Sequence, residues 1–266
     1  MDVSGVFSYA QLVAQGKSQV DIARSIEEGR LSRIARGWYA NDFADREVVA
    51  ALRGKGRLGC ISGCKFYGLW VPPRAGLHVV QSPGQPKPYK PRYERHRSGK
   101  PVPKGPVWPL LECLEQVIIN HDVELALIVI ESALNLGKVT AGDIEVLLRH
   151  FSGKKIARIR KLLSIAESGS ETRVRLFFRR RNVKVEPQVE IPGVGRVDMV
   201  VGKRLIVECD GAAYHTSRQA LEDDKRRDLA ARDLGFDSLR LSYRQVWDDW
   251  DATQKSLVAW TARRRH

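Results

Sequence analysis

The chain has 266 residues, a hydrophobic fraction of 43% and a formal net charge of +14. This length suffices for two domains of ordinary size with their own hydrophobic cores. No apolar run approaches the roughly 20 residues that cross a bilayer, and no export signal is recognisable at the N-terminus. Its four cysteines are too few to indicate a disulfide framework. We therefore expect a cytoplasmic protein with no membrane partner.

The first 42 residues carry the signals of two short helices followed by a β-hairpin. Ser8 precedes a helical pattern that stops at Gly16, and Ser18 begins a second helix that ends before Gly29. Residues 31–40 alternate basic or small residues with apolar ones, as a β-wing does. The pattern predicts a winged helix over 1–42 whose second helix enters the major groove. The predicted DNA contacts are Lys17, Gln19 and Arg24 at bases or phosphates, with Arg33 and Arg36 on the backbone.

This segment, which closes with Arg36-Gly37-Trp38-Tyr39, resembles the N-terminal domain of AbiE-type antitoxins and related bacterial regulators. The resemblance covers about the first 40 residues, and Phe66–Trp70 and Leu77–Val80 resemble the helix and strand that follow in that family. It implies a DNA-binding regulator. Because winged helices are reused widely, a purely protein-binding module remains the alternative.

Residues 43–166 predict a mixed, mainly helical middle domain. After a helix at 46–54, a basic stretch over 83–109 contains eight prolines, which predict a linker or an extended loop along phosphates. Helical periodicity then covers 110–120, 123–136 and 141–151. The acids on these helices, Glu131 among them, are interpreted as solvated surface.

The cysteines of this domain offer two interpretations. Cys60, Cys64 and Cys113, together with His96 or His121, have residue types that bind zinc, although their spacing is loose. Buried apolar thiols are the ordinary interpretation. The sequence leaves zinc binding open.

Two stretches carry the whole positive excess of the chain. Residues 151–181 hold ten Lys or Arg against two Glu, and residues 85–104 hold seven against one. Clustered cations neutralise phosphates and release counterions, which predicts salt-sensitive binding to nucleic acid. A solvated basic face is the alternative. The further predicted DNA contacts are Arg179, Arg180 and Arg227.

Residues 167–266 predict the element order α-β-β-β-α-β-α, a sheet flanked by helices. A helix begins at Glu171, and strands follow at 183–191, 195–201, 205–210 and 237–241, with helices at 217–234 and after Ser242. The fold class is therefore α+β and multidomain, with domains at 1–42, 43–166 and 167–266. The last domain is an α/β sheet domain.

Three carboxylates follow apolar residues in two of these strands. Glu208 and Asp210 project from one face because side chains alternate along a strand, and a turn at Gly202-Lys203 brings Asp198 beside them. Charge at a buried strand end is costly unless a cation or another partner lies there, and a divalent metal is the simplest explanation. The arrangement predicts an oxygen-ligand site for Mg²⁺ or Mn²⁺. An edge-strand pair hydrated by water is the alternative.

These residues resemble the PD-(D/E)XK nuclease superfamily, most closely the branch related to very-short-patch-repair endonucleases, over roughly the last 100 residues. The resemblance implies a restriction-endonuclease-like sheet in which Asp198 and Glu208, with the carbonyl of Cys209, bind the metal. Asp210 stands where the superfamily usually has lysine, so water activation falls to the metal, to His215 or to a carboxylate. Glu171 on the first helix is expected to orient a ligand or a metal-bound water.

Three functions follow from this sequence. The first is a metal-dependent DNA endonuclease or nickase that a winged helix targets, with duplex DNA as the favoured substrate. The second is an antitoxin-type regulator whose nuclease fold is inactive, and the third is a protein that docks a basic partner in an acidic cleft. A homodimer, a cognate toxin and a phage-conflict partner are left open. Arg227 either holds a phosphate or pairs with the carboxylates.

Overall fold

The computed structural model describes residues 4–84, 92–210 and 218–263. The chain divides into two compact units, Met1–Asp122 and Val123–His266. Helices and sheets are mixed in both, as the predicted fold class requires. Within the described residues, no helix is both long and apolar enough to span a bilayer. The boundary between the two compact units falls after Asp122. The domain boundaries expected from the sequence, after residues 42 and 166, remain predictions.

The winged helix opens the first unit. Its elements are β1 (Val6–Ser8), α1 (Tyr9–Ala14), α2 (Gln19–Glu27), β2 (Ser32–Ala35) and β3 (Trp38–Ala40), and the strands form an antiparallel sheet in the order β1-β3-β2. Ser8 and Ser18 cap the two helices, each in a reciprocal capping box. Gly37 turns the β2–β3 hairpin at a φ of 75°. The fold predicted for this segment is confirmed.

A second sheet completes the first unit. The elements are α3 (Arg46–Arg53), β4 (Arg57–Leu58), α4 (Cys60–Phe66), β5 (His78–Gln81), β6 (Glu94–Arg97) and α5 (Leu110–Asn120). The strands lie in the order β4-β5-β6, with β5 and β6 parallel. The stretch predicted as a loop over 83–109 thus contains a strand. β6 lies at the edge of the sheet, and Pro101 follows it outside the strand, where a missing N–H interrupts no ladder.

Four helices begin the second unit: α6 (Val123–Asn135), α7 (Ala141–Arg149), α8 (Lys154–Leu162) and α9 (Gly169–Arg179). Glu131 of α6 and Arg175 of α9 form an ion pair in which each side chain is 1% exposed. Thr172 Oγ1 and the Ser164 N–H also donate to Glu131, at 2.7 and 2.9 Å. The interpretation of Glu131 as solvated surface is wrong, because α9 covers it.

The sheet of the second unit follows. Its elements are β7 (Val185–Ile191), β8 (Gly195–Val201), β9 (Leu205–Asp210), α10 (Arg218–Asp233), β10 (Asp237–Ser242), α11 (Tyr243–Trp247) and α12 (Trp250–Arg263). The strand order is β10-β9-β8-β7, with β10 parallel to β9 and the other pairs antiparallel. Val207 packs with Phe178 of α9 on one face, while Ile206 packs with Ala231 of α10 on the other. The final helix, predicted as one, is divided into α11 and α12.

Candidate active site

The antiparallel pairing of β8 and β9 brings Asp198 to the backbone of the neighbouring strand. Met199 lies opposite Val207, and just beyond that pair the backbone N–H of Cys209 donates to Oδ2 of Asp198 at 2.7 Å. The carboxylate therefore accepts a strand N–H that a backbone carbonyl would otherwise bond. This contact fixes the Asp198 side chain beside the chain segment that carries Glu208 and Asp210.

Glu171 lies in the first turn of α9, which Ser168 caps, and its charge acts on the carboxyl of Asp198. It is 5% exposed, and its Oε2 accepts the backbone N–H of Glu167 at 2.9 Å and Nε2 of Gln188 at 2.8 Å. Gln188 has a positive φ of 52°, a conformation that costs a non-glycine residue free energy and that is frequent at functional sites. Two elements therefore hold the Glu171 carboxylate in one orientation.

Burial is the main cause of the raised pKa values of the two acids at this site. It raises the pKa of Asp198 to about 6, and the charge of Glu171 adds to the increase, while the hydrogen bond from Cys209 opposes it. Burial also raises the pKa of Glu171. Two neighbouring carboxylates in a half-buried site repel each other when both are ionised. A bound cation relieves that repulsion, so their position fits an oxygen-ligand metal site.

Glu208 is held by two arginines. Its Oε1 lies 3.0 Å from Nη2 of Arg227, and its Oε2 lies 3.2 Å from Nε of Arg240. Arg240 stands beside Glu208 in the parallel register of β10 and β9. The sequence left two roles open for Arg227, binding a phosphate or pairing with the carboxylates. The structure shows the ion pair with a carboxylate. Arg227 also donates from Nε to the carbonyl of Val194 at 3.0 Å.

Arg240 was not identified from the sequence, although it joins three acids. Besides Glu208, its guanidinium contacts Asp224 at 2.8 Å and Asp228 at 3.1 Å. Both acids lie on α10, where a neighbouring acid, Asp223, contacts Arg226 of the same helix at 3.4 Å. An arginine between Leu239 and Leu241 in a predicted strand was the available signal. A charge there needs a partner across the strand.

Asp210 ends β9, and burial raises the pKa of its carboxyl, an effect that the charge of Arg240 opposes. The thiol of Cys209 packs against the core on the α9 face. His215 lies outside the described residues. The catalytic and metal-binding roles assigned to Glu171, Asp198, Glu208, Cys209, Asp210 and His215 remain predictions.

The donor atoms fit a divalent ion in part. Carboxylate oxygens of Asp198 and Glu171 suit Mg²⁺, but both oxygens of Glu208 contact guanidinium groups. Among the described residues, the His, Cys, Asp and Glu side chains whose ligand atoms converge closely enough for a metal are Cys60 and three histidines of the first unit. A metal at Glu208 would therefore compete with two guanidinium groups for these oxygens.

The cations predicted to contact DNA lie on two surfaces. On the winged helix, Gln19, Arg24, Arg33 and Arg36 are exposed and Lys17 is half-buried. In the second unit, a groove between α8, the end of α9 and the start of β7 is lined by five cationic side chains. These are Arg158, Lys161, Arg179, Arg180 and Lys184.

Two arginines of the basic stretch 151–181 face inward instead. Arg175 pairs with Glu131, and the guanidinium of Arg173 lies 4.6 Å from the ring centroid of Trp247. In the groove itself, Arg180 contacts Glu124 at 2.8 Å, and Arg179 donates to the carbonyl of Val185 at 3.2 Å. The basic stretch therefore serves both the interior and the surface.

Comparison with known proteins gives this architecture a class. Residues 171–260 match the family model REase_MTES_1575, so the C-terminal domain is restriction-endonuclease-like. Residues 1–41 match a second model, described as "Transcriptional regulator, AbiEi antitoxin". The protein therefore combines an AbiEi-antitoxin-like N-terminus with a nuclease-like C-terminal domain.

One similar solved structure is the catalytic domain of the homing endonuclease I-Bth0305I. The identity is 18%, the match covers 37% of this chain and 96% of that chain, and the TM-score is 0.31. No curated protein matches the chain.

Proposed function

We propose that this protein is a metal-dependent endonuclease or nickase that hydrolyses phosphodiester bonds in DNA. The observation that carries the proposal is the half-buried Asp198 carboxylate beside Glu171, within a segment that matches a restriction-endonuclease-like family. Burying two acids side by side costs stability, and such a cost is typical of sites that bind a cation and perform chemistry. The very-short-patch-repair branch remains our preferred placement.

Asp198 and Glu208, with the carbonyl of Cys209, would hold Mg²⁺ or Mn²⁺. When bound, such an ion activates water and stabilises charge on the phosphate. Glu171, which Gln188 and the Glu167 N–H orient, positions a water or a ligand. Asp210 and His215 are the candidates to accept the proton of that water.

Arg227 and Arg240 have a role in this scheme. Both contact Glu208, and guanidinium groups bind phosphate in the same forked geometry as carboxylate. A DNA phosphate that enters the site competes with Glu208 for these two arginines. Glu208 would then be free to hold the metal, while the arginines hold the substrate. Metal and DNA binding are coupled for this reason.

Duplex DNA is the substrate that the basic surfaces favour. The exposed cations of α2 and the wing suit a groove and its backbone, and the groove beside α8 supplies five more positive side chains. Such contacts bind phosphates without reading sequence, so affinity should fall steeply as salt rises.

The test is a supercoiled-plasmid assay with Mg²⁺ or Mn²⁺ on the full chain. Asp198→Asn removes a charge with little change in volume and should lower the cleavage rate about 100-fold or more. Asp233→Asn, an exposed acid at the end of α10, is the matched control and should cleave as the natural protein does. Cleavage that survives Asp198→Asn would exclude this site.

A DNA-binding regulator of antitoxin type is the second candidate. The match of residues 1–41 to an AbiEi antitoxin model and the capped, exposed α2 favour it. In that case the natural protein binds duplex DNA tightly and does not cut it with either metal. A cognate toxin or a phage-conflict partner, and a homodimer, belong to this alternative.

A further inference from the structure

The first unit gathers one thiol and three imidazoles that the proposed nuclease site does not use. Cys60 begins α4, His78 begins β5, His96 lies in β6 and His121 follows α5. Cys60 and His78 are buried, and His96 and His121 are half-buried. Four separate elements each contribute one side chain to the same place.

Their ligand atoms all lie within 4.8 Å of one another. Sγ of Cys60 is 3.1 Å from Nε2 of His121, and Nδ1 of His78 is 2.8 Å from Nε2 of His96. The edges of a zinc tetrahedron with one sulfur and three nitrogens measure about 3.3–3.7 Å, from the usual bond lengths. Small movements of these side chains would place all four atoms around one ion.

Hydrogen bonds outside the cluster direct lone pairs into it. Nε2 of His78 lies 2.7 Å from the carbonyl of Ala75, which only accepts, so Nε2 carries the hydrogen and Nδ1 faces inward as a lone pair in the neutral ring. The Asn120 side chain hydrogen-bonds His96, while its own Nδ2 donates to the Gln116 carbonyl at 2.7 Å. Oδ1 of Asn120 is available to a His96 N–H, and a ring that donates there from Nδ1 presents Nε2 to His78 as a lone pair.

In that tautomer two lone pairs face each other across 2.8 Å and repel unless a cation lies between them. Outer hydrogen bonds of this kind are typical of metal-binding histidines, because they fix the ring and its tautomer. No Asp or Glu belongs to the set, so a soft metal is favoured over Mg²⁺.

The backbone at Cys60 is also constrained. Its φ is 51°, and its N–H donates to Oε1 of Gln116 at 2.7 Å. A cysteine rarely adopts this conformation without a compensating interaction. The side chain of Gln116, from α5, thus holds the backbone of Cys60, whose thiol lies beside His121.

We propose that Cys60, His78, His96 and His121 form a structural zinc site. Four protein ligands fill a tetrahedral shell and leave no position for substrate, which is typical of structural sites. The ion would join α4, β5, β6 and α5. Three of these ligands, Cys60, His96 and His121, were among the zinc candidates of the sequence analysis. His78 is a new ligand. Cys64 and Cys113 are not part of the cluster.

The experiment measures metal in the full chain, purified without a polyhistidine tag. Elemental analysis should find one zinc per chain, and X-ray absorption at the zinc edge should find one sulfur at about 2.3 Å and three nitrogens at about 2.0 Å. A protein that retains no zinc, and binds none when ZnCl₂ is added after chelator treatment, would overturn the proposal. Zinc without a sulfur ligand would overturn it as well.

A variant locates the site. His121→Gln should weaken zinc binding about tenfold or more, measured by competition with a chelating dye. Cys64→Ala and His150→Gln, a buried thiol and an exposed histidine outside the set, should bind zinc as the natural chain does. Equal affinity in His121→Gln would place the metal elsewhere and refute the assignment. Should that variant misfold, the absorption spectrum of the natural protein decides the question.

Discussion

The two units bury polar groups in different ways. In the first, a thiol and three imidazoles converge without a charged partner among them. In the second, buried or half-buried carboxylates already have cationic partners: Arg175 for Glu131, and Arg227 and Arg240 for Glu208. Asp198 and Glu171 are the exceptions: Asp198 accepts a backbone N–H, Glu171 accepts a backbone N–H and the Gln188 amide, and neither has an ion pair among the described contacts.

This difference separates two kinds of polar interior. A carboxylate paired with a guanidinium needs no further cation to be stable, whereas the residues of the proposed zinc site gain stability from the ion that they bind. The first unit should therefore depend on a metal for its stability. The second should fold without one and need a metal only for chemistry, at Asp198.

The largest expected effect is on the buried pair of the second unit. Arg175→Met leaves Glu131 buried without its cation and should lower the free energy of unfolding by about 3–5 kcal/mol, measured by urea denaturation. Arg180→Met is the matched control, since Arg180 is 46% exposed in its pair with Glu124 and should change stability by about 1 kcal/mol or less. Equal losses in both variants would contradict the distinction.

Metal removal should affect the first unit alone. A strong chelator is expected to reduce its stability on the order of 3 kcal/mol, the linkage effect of a ligand well above its dissociation constant. Hydrogen exchange followed by mass spectrometry should then show faster exchange in β5 and α5 and unchanged exchange in α9 and β9. Faster exchange throughout, or nowhere, would remove the contrast between the units.

A smaller effect is expected for the ion pair between Arg240 and Glu208 in the sheet of the second unit. A double-mutant cycle of Glu208→Gln and Arg240→Met should give a coupling of about 1 kcal/mol in thermal or urea unfolding without metal. The control cycle pairs Glu208→Gln with Arg226→Met, because Arg226 contacts Asp223 instead. A coupling near zero for Arg240 would mean that Glu208 is held by other groups.

Local patterns predicted most of the sheet of the second unit. The bounds of β8 and β9 agree with the apolar runs at 195–201 and 205–210, and α5 agrees with its helical period over 110–120. These elements are set by side-chain periodicity and by turns, both of which are local. The capping serines Ser8, Ser18 and Ser242 were likewise readable, because a cap needs only its own first turn.

Contacts between elements that are distant in the chain could not be predicted from the sequence. Glu208 meets Arg240 because β10 crosses back to lie parallel to β9, which no short window contains. Burial of Glu131 depends on which helix covers α6, and a pattern of charges does not specify the covering helix. His78 was recognised only as part of a strand, since its metal-site neighbours are distant in sequence.

The buried contact of Arg175 with Glu131 has a practical consequence for anyone who wishes to isolate the nuclease-like part. A fragment that starts near 167 keeps Arg175 but discards α6, which carries its counter-charge. Such a truncation would expose an apolar helix surface and leave Arg175 without its ion-pair partner. The fragment should therefore be insoluble when it is expressed. A fragment that begins at Val123 retains the whole compact unit and is the one to clone.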